Sequence, residues 1–137
     1  MSASSRIGHI LVHSRDERAW ARFLSEMLGL PEPAAFGHFA VVVAVVALAH
    51  DASLDLLDAG DFDFQPRHYA FLVDQADFDR VKARLDERGL VHWADPFREQ
   101  PGAINHHDGG RGLYFDDPDG HLLEVHTRPY GSGGPTA

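Results

Sequence analysis

Ten histidines in 137 residues, with no tag-like run among them, are the first chemical feature of this sequence. Neutral imidazole is the commonest protein metal ligand. The chain has no cysteine, which excludes disulfide scaffolds, cysteine-ligated zinc or iron–sulfur sites and thiol nucleophiles. Three ionisable side chains stand in apolar runs, where burial is costly unless they are paired. His9 enters Ile10-Leu11-Val12, His68 enters Tyr69-Ala70-Phe71-Leu72, and Glu124 interrupts Leu122-Leu123 and Val125. One such histidine alone is more often a hydrogen-bonded structural residue. Two of them at equivalent places in a repeat, with a carboxylate, make a sharper pattern: the facial triad of non-haem Fe(II) sites, which also suits Mn(II), Ni(II) or Zn(II).

The elements that must position these groups form an internal repeat. Residues 8–30 and 67–90 each begin with a histidine entering a strand-like run, continue into an amphipathic helix and stop at Gly-Leu. Trp20, Phe23, Leu24, Met27 and Leu28 lie on one stripe of the first helix, and Phe78, Val81 and Leu85 on one stripe of the second. These apolar positions read as core. Ser14 with Glu17 fits a capping box, Asp74 or Asp77 caps the second helix, and Gly29 and Gly89 fit the position just past each helix end. Strand signals follow at 36–46, which is long enough for two strands, and at 54–57, then at 90–93, 112–116 and 121–127. The expectation is an α+β fold of two βαβββ modules forming a curled mixed sheet, helices on the outer face and a metal-containing cup inside. Two helices cannot cover both faces of so many strands. Module one spans 6–58, a polar linker 59–66 and module two 67–128, within a single domain over 1–130. Asp55, in Leu54-Asp55-Leu56, occupies the place in module one that Glu124 occupies in module two, and is a candidate fourth ligand.

Strand alternation puts His68, Ala70 and Leu72 on one face, and the bulkier Tyr69, Phe71 and Val73 on the face under the helix. Asp117-Pro118-Asp119-Gly120 matches a type I turn, and Gly120 in the left-handed region makes it a three-residue loop with a bulge. Tyr114 then falls opposite Glu124 and Gly112 opposite His126. A plain four-residue loop would instead set Tyr114 against Leu123, on the wrong face. The long loop that starts at Asp95 and runs to Gly110 carries His106 and His107, and His107 is a candidate acid–base group because imidazole titrates near neutrality. Arg111 and Arg128 have the forked geometry that binds an anionic substrate.

Lys and Arg number 12 against 21 Asp and Glu, a net charge of −9, so nucleic acid is not an expected partner. The most apolar run, 40–49, is far shorter than the ~20 residues of a membrane helix, and 1–5 lacks the apolar segment of a leader peptide. The expectation is a soluble cytoplasmic protein with no membrane partner. Residues 131–137, GSGGPTA, read as a flexible tail.

The repeat together with His9, His68 and Glu124 resembles the vicinal oxygen chelate superfamily, which includes glyoxalase I, fosfomycin and bleomycin resistance proteins and extradiol dioxygenases. The resemblance runs from about Ile7 to Thr127 and is strongest in HYAFLV and LYFDDPDGHLLEVH. The second motif is similar to fosfomycin resistance enzymes, down to a histidine two residues past the glutamate, His126. Those enzymes carry a threonine where this chain has Leu11, and small hydroxyl residues where it has glycine and Asp108. Residues 105–124 also resemble the extradiol signature of a histidine, a tyrosine, a D-P-x-G turn and the iron-binding glutamate, matched here by His107, Tyr114, 117–120 and Glu124. Typical extradiol enzymes carry two such domains and this chain one. The resemblance implies a divalent metal, Fe(II) favoured, held by His9, His68 and Glu124. It also implies His107 and Tyr114 acting at the substrate, His126 and Arg111 binding it, and a small catecholic or enediol-like molecule as that substrate. Superfamily members commonly pair modules across two chains, which implies a homodimer. The alternatives are a glyoxalase-like isomerase or thiol transferase on the same triad, and a binding protein that sequesters a drug or metabolite.

Overall fold

The computed structural model of the protein describes residues 5–38, 41–58 and 63–133. The chain forms two compact units, residues 1–26 with 30–64 and residues 27–29 with 65–137. Their division falls inside the linker expected at 59–66, of which 59–62 lie outside the described residues.

The first unit contains β1 (His9–Ser14), most of α1 (Glu17–Leu28), β2 (Ala34–His38), β3 (Val41–Ala47) and β4 (Ser53–Asp58). The strand order is β1-β4-β3-β2, with β1 and β4 parallel and the other pairs antiparallel. The long apolar run thus divides into two strands. Alternation holds through the middle of β1 and β4: Val12, Ser14, Leu54 and Leu56 are buried, while Leu11, His13, Ser53, Asp55 and Leu57 lie toward the more open face with His9, and Ile10 and Asp58 at the strand ends are exposed. Trp20, Ala21 and Leu24 of α1 are buried as well.

The second unit contains β5 (His68–Leu72), α2 (Gln75–Glu87), β6 (Gly112–Asp116) and β7 (Leu122–His126), in the order β5-β7-β6. Again the first and last strands pair in parallel, so the two sheets repeat one topology. The mixed sheet expected from the sequence is built as two sheets, one in each unit. Phe78, Val81 and Leu85 of α2 are buried, as are Leu113, Phe115, Leu123 and Val125 of the strands. Each contributes ~1.5–3 kcal/mol by leaving water.

Both helices end alike. Gly29 and Gly89 take φ of 66° and 65°, a region open to glycine without a Cβ clash. The amides of Leu30 and Leu90 return to the carbonyls of Ser25 and Leu85 at 2.8 and 2.9 Å, the six-to-one bond of a Schellman cap. Asp74 caps α2 through a 2.7 Å bond from the Asp77 amide. For α1 the sequence reading needs correction. Ser14 is buried in β1, and Asp16 instead accepts the Ala19 amide at 3.0 Å. A second correction concerns 90–93. Only Trp93 pairs with β6, exchanging 2.9 and 2.8 Å bonds with Tyr114, and its other bridge is to Pro101. The fourth strand of module two is therefore reduced to a single bridge on the outer side of β6.

Candidate metal centre

The hairpin between β6 and β7 sets the geometry. The Asp117 amide bonds the His121 carbonyl at 3.0 Å, the Gly120 amide bonds the Asp117 carbonyl at 3.1 Å, and Gly120 has φ of 85°. This is the bulged three-residue loop, and it puts Tyr114 opposite Glu124 and Gly112 opposite His126. On the other side of β7, Ala70 lies opposite Glu124 and His68 opposite Leu122. His68, Glu124, Tyr114 and His126 accordingly share one face of the sheet, away from Leu113, Phe115, Leu123 and Val125.

His68 Nε2 lies 3.0 Å from Glu124 Oε1. The carboxylate side chain is 1% exposed and the imidazole 45% exposed, so the pair is buried on one side and open to solvent on the other. Two donors bonded at ~2.1 Å to neighbouring octahedral positions of one metal stand about 3.0 Å apart. The pair is hydrogen-bonded in this structure, and its separation is also that of a divalent metal's cis edge, with its open side facing solvent. The donor set of imidazole and carboxylate suits Fe(II), Mn(II), Ni(II) or Zn(II).

Glu124 Oε2 accepts a hydrogen bond from the hydroxyl of Tyr130, which lies 3.1 Å from the hydroxyl of Tyr114. Burial raises the Tyr114 hydroxyl above its ordinary value, with the Tyr130 hydrogen bond acting in the opposite direction and the Glu124 charge adding to the rise. Burial, and then the hydrogen bond to Glu124, push Tyr130 further up. Both therefore stay protonated at neutral pH. The His68 and Tyr114 rings are 5.8 Å apart. His126 donates its Nδ1–H to the Arg128 carbonyl at 2.8 Å and sets its ring 5.0 Å from Tyr130. His107, in the 3-10 turn His107–Gly109, is exposed with its ring 6.5 Å from that of Tyr130.

Tyr130 escapes the sequence reading because it adjoins a glycine- and serine-rich end. Residues 131–133 are not a free tail: the Asp108 carboxylate accepts the amides of Gly131 and Gly133 at 3.1 and 3.0 Å. Residues 134–137 lie outside the described residues. The available signal was an aromatic four residues past the last strand.

Arg111 lies apart from these groups. Because Gly112 faces the open side, position 111 faces α2. There the guanidinium bonds Asp79 at 2.7 Å and Gln75 Oε1 at 2.8 Å and lies 4.4 Å over the Phe78 ring. Its contact holds the Asp79 carboxyl below the usual range. Its cationic fork is engaged by α2.

In the first unit, His9 and Asp55 share the more open face, with Leu11 directly opposite Asp55. Asp55 Oδ1 accepts the Ser53 hydroxyl at 2.8 Å. Among the described residues, no three His, Asp or Glu side chains gather at metal-binding distance.

The chain is similar to the glutathione transferase FosA of Serratia marcescens, 29% identical over 124 residues that cover 88% of this chain and 79% of that protein. Among solved structures it is similar to oxidase ChaP-H1, with a TM-score of 0.86 and 49% identity over 93% of this chain and 99% of that one. It is also similar to oxidase ChaP-H2, with a TM-score of 0.85 and 46% identity over 96% and 100% of the two chains. The family model for the Glyoxalase/Bleomycin resistance protein/Dioxygenase superfamily matches residues 6–125, and the chain belongs to that superfamily.

Proposed function

We propose that this chain is a divalent-metal-dependent oxidase of extradiol dioxygenase type, acting on a small molecule with two neighbouring oxygens such as a catechol or an enediol. The observation that carries the reading is the His68–Glu124 pair at 3.0 Å, buried on its carboxylate side and open on its imidazole side, with a tyrosine hydroxyl beside it. The word oxidase in the names of two similar solved structures supports it. His9, His68 and Glu124 hold the metal, Fe(II) before Mn(II), Ni(II) or Zn(II); Asp55, tied to Ser53, stays outside the ligand set. When bound, the ion supplies open positions for vicinal substrate oxygens and the Lewis acidity that favours their deprotonation. Tyr114 hydrogen-bonds a substrate oxygen, His107 moves the substrate proton, and His126 borders the substrate. His9 comes from a second copy of the chain, so the working unit is a homodimer.

Oxygen uptake by the Fe(II)-loaded protein across a panel of catechols tests the reaction, and sedimentation of the metal-loaded protein tests the dimer. Consumption of oxygen with at least one catechol, lost in His68→Ala, is the expected result. The FosA likeness favours a second reading, thiol transfer on the same ligands. Absence of oxygen uptake together with turnover of an electrophile by glutathione under Mn(II) would replace the first reading by that one. A metal-loaded monomer at micromolar concentration would refute the dimer.

A further inference from the structure

Glu124 is a buried carboxylate with two differently engaged oxygens: Oε1 faces His68, and Oε2 receives the Tyr130 hydroxyl. A buried anionic oxygen without a donor carries a large desolvation penalty, so this hydroxyl decides how the carboxylate can orient. Tyr130 itself is 57% exposed and lies beyond the last strand, where little packing holds it. Its position comes from the segment 128–133, which is folded back over the 3-10 turn. Asp108 takes the amides of Gly131 and Gly133, the Arg128 carbonyl bonds His126, and the Arg128 guanidinium reaches Ser132 Oγ at 3.4 Å. Asp108 has φ of 55°, a left-handed conformation that aspartate and asparagine tolerate better than most residues. A strained, doubly bonded aspartate is thus spent on pinning a glycine-rich segment whose one aromatic residue reaches the candidate ligand.

We infer that Tyr130 is a positioning residue that occupies Oε2 of Glu124, so that only Oε1 is presented to the metal beside His68, and that Asp108 holds the segment that delivers it. This rests on the reading of His68 and Glu124 as metal ligands. Proton counting extends it. An ionised carboxylate only accepts, so the single hydroxyl proton of Tyr130 goes to Glu124. The contact between Tyr130 and Tyr114 then has Tyr114 donating, and the oxygen of Tyr114 keeps lone pairs rather than a proton for the open face. A substrate hydroxyl is their complement.

The experiment uses the full-length protein and Co(II) as the probe, with affinity read by calorimetry and coordination by the visible spectrum. Tyr130→Phe removes one hydroxyl and keeps the ring. Partners that orient a metal ligand typically matter by ~10–100-fold in metal affinity, and Tyr130→Phe should weaken Co(II) binding by that order. Its Co(II) spectrum should also change, because Oε2 is free to swing onto the metal. Asp108→Asn keeps the left-handed backbone while giving up one acceptor oxygen, and should shift affinity and spectrum in the same direction by less. Losing the donor to a buried carboxylate should lower the metal-free melting temperature of Tyr130→Phe, but the far-UV circular dichroism of both variants below the melt should match that of the wild type, which separates positioning from loss of fold. Tyr130→Phe with wild-type affinity and spectrum, where the wild type binds Co(II), would overturn the inference and leave the metal centre standing. A wild type that binds no Co(II) would overturn both.

Discussion

The turn at Asp117 decides which face Tyr114 occupies, because a slip of one residue in a strand pair moves every side chain to the other face. Its stability is therefore a matter of function. The Asp117 side chain is 6% exposed. Oδ1 accepts the amides of Asp119 and His121, each at 2.8 Å, while Oδ2 is buried without a hydrogen-bond partner. Burial is the largest influence and, with the Asp119 charge, outweighs the backbone bonds, pushing the carboxyl up from 3.8 to about 7. A carboxyl whose folded value is raised binds its proton more tightly in the folded state. Its contribution to stability is complete below pH 3.8, is lost as pH rises toward about 7, and is absent above that. At ~1.4 kcal/mol per pH unit, a window of about three units bounds the effect at about 4 kcal/mol. Asp117→Asn keeps the acceptor oxygen and removes the titration. Denaturant unfolding of both proteins between about pH 4 and about pH 8 should show the stability of the variant relative to the wild type rising across the window and levelling off above it. A difference that is flat, or that slopes the other way, would refute the reasoning. The amide bonds would then outweigh burial, and the turn would carry a charged carboxylate throughout.

A divalent metal at a hundredfold excess over its dissociation constant stabilises by ~2.7 kcal/mol, or roughly 9 °C in melting temperature at ~2.1 cal/mol/K per residue. His68→Ala and Glu124→Ala should abolish that rise in a thermal melt, and an equal rise in all three proteins would count against the centre. Asp55→Asn should leave metal affinity at the wild-type value by calorimetry; a tenfold loss would return Asp55 to the ligand set. In Gly112→Ala the new Cβ would stand 2.7 Å from Asn105 Oδ1, whose amide nitrogen bonds the Ala94 carbonyl. That substitution should cost ~1–3 kcal/mol in unfolding experiments and raise hydrogen exchange in the loop bearing His107, whereas unchanged exchange would show that Asn105 yields freely. Arg111→Ala should lower stability and let the Asp79 carboxyl return toward its ordinary value without altering substrate KM; a large rise in KM would restore Arg111 to the substrate.

What was legible in the sequence followed from rules with short range. The period of two put His68 and Glu124 on one face, and the turn chemistry of 117–120 set Tyr114 against Glu124. The same phase argument, carried one residue further, would have turned Arg111 toward α2, since Gly112 faces the open side. The charge of Arg111 suggested a substrate role, and in this structure its guanidinium bonds Asp79 and Gln75. The expected strand at 90–93 failed because a run of apolar residues does not specify a partner. The Asp95 turn, whose carboxylate collects the amides of Phe97, Glu99 and Gln100, follows at once and folds the chain back, so that Trp93 makes one bridge to β6 and one to Pro101. Tyr130 was hidden for a different reason. Its place depends on Asp108, more than twenty residues earlier, and no local pattern encodes a bond between a loop carboxylate and the amides of two later glycines.

The two modules also show why one repeated frame yields unequal sites. In each, the acidic residue lies opposite the residue two beyond the histidine: Asp55 opposite Leu11, and Glu124 opposite Ala70. The position opposite the histidine differs. In module one it is Ser53, whose hydroxyl bonds Asp55 at 2.8 Å; in module two it is Leu122, which has no side-chain donor. Asp55 is thus engaged by its own strand, whereas Glu124, one methylene longer, extends to His68 at 3.0 Å. A serine hydroxyl and a methylene separate a carboxylate held within its strand from one poised beside an imidazole. The repeat alone therefore does not make Asp55 a ligand, because equivalence of backbone register carries over only the direction of a side chain, and its reach and its nearest donor decide what it binds.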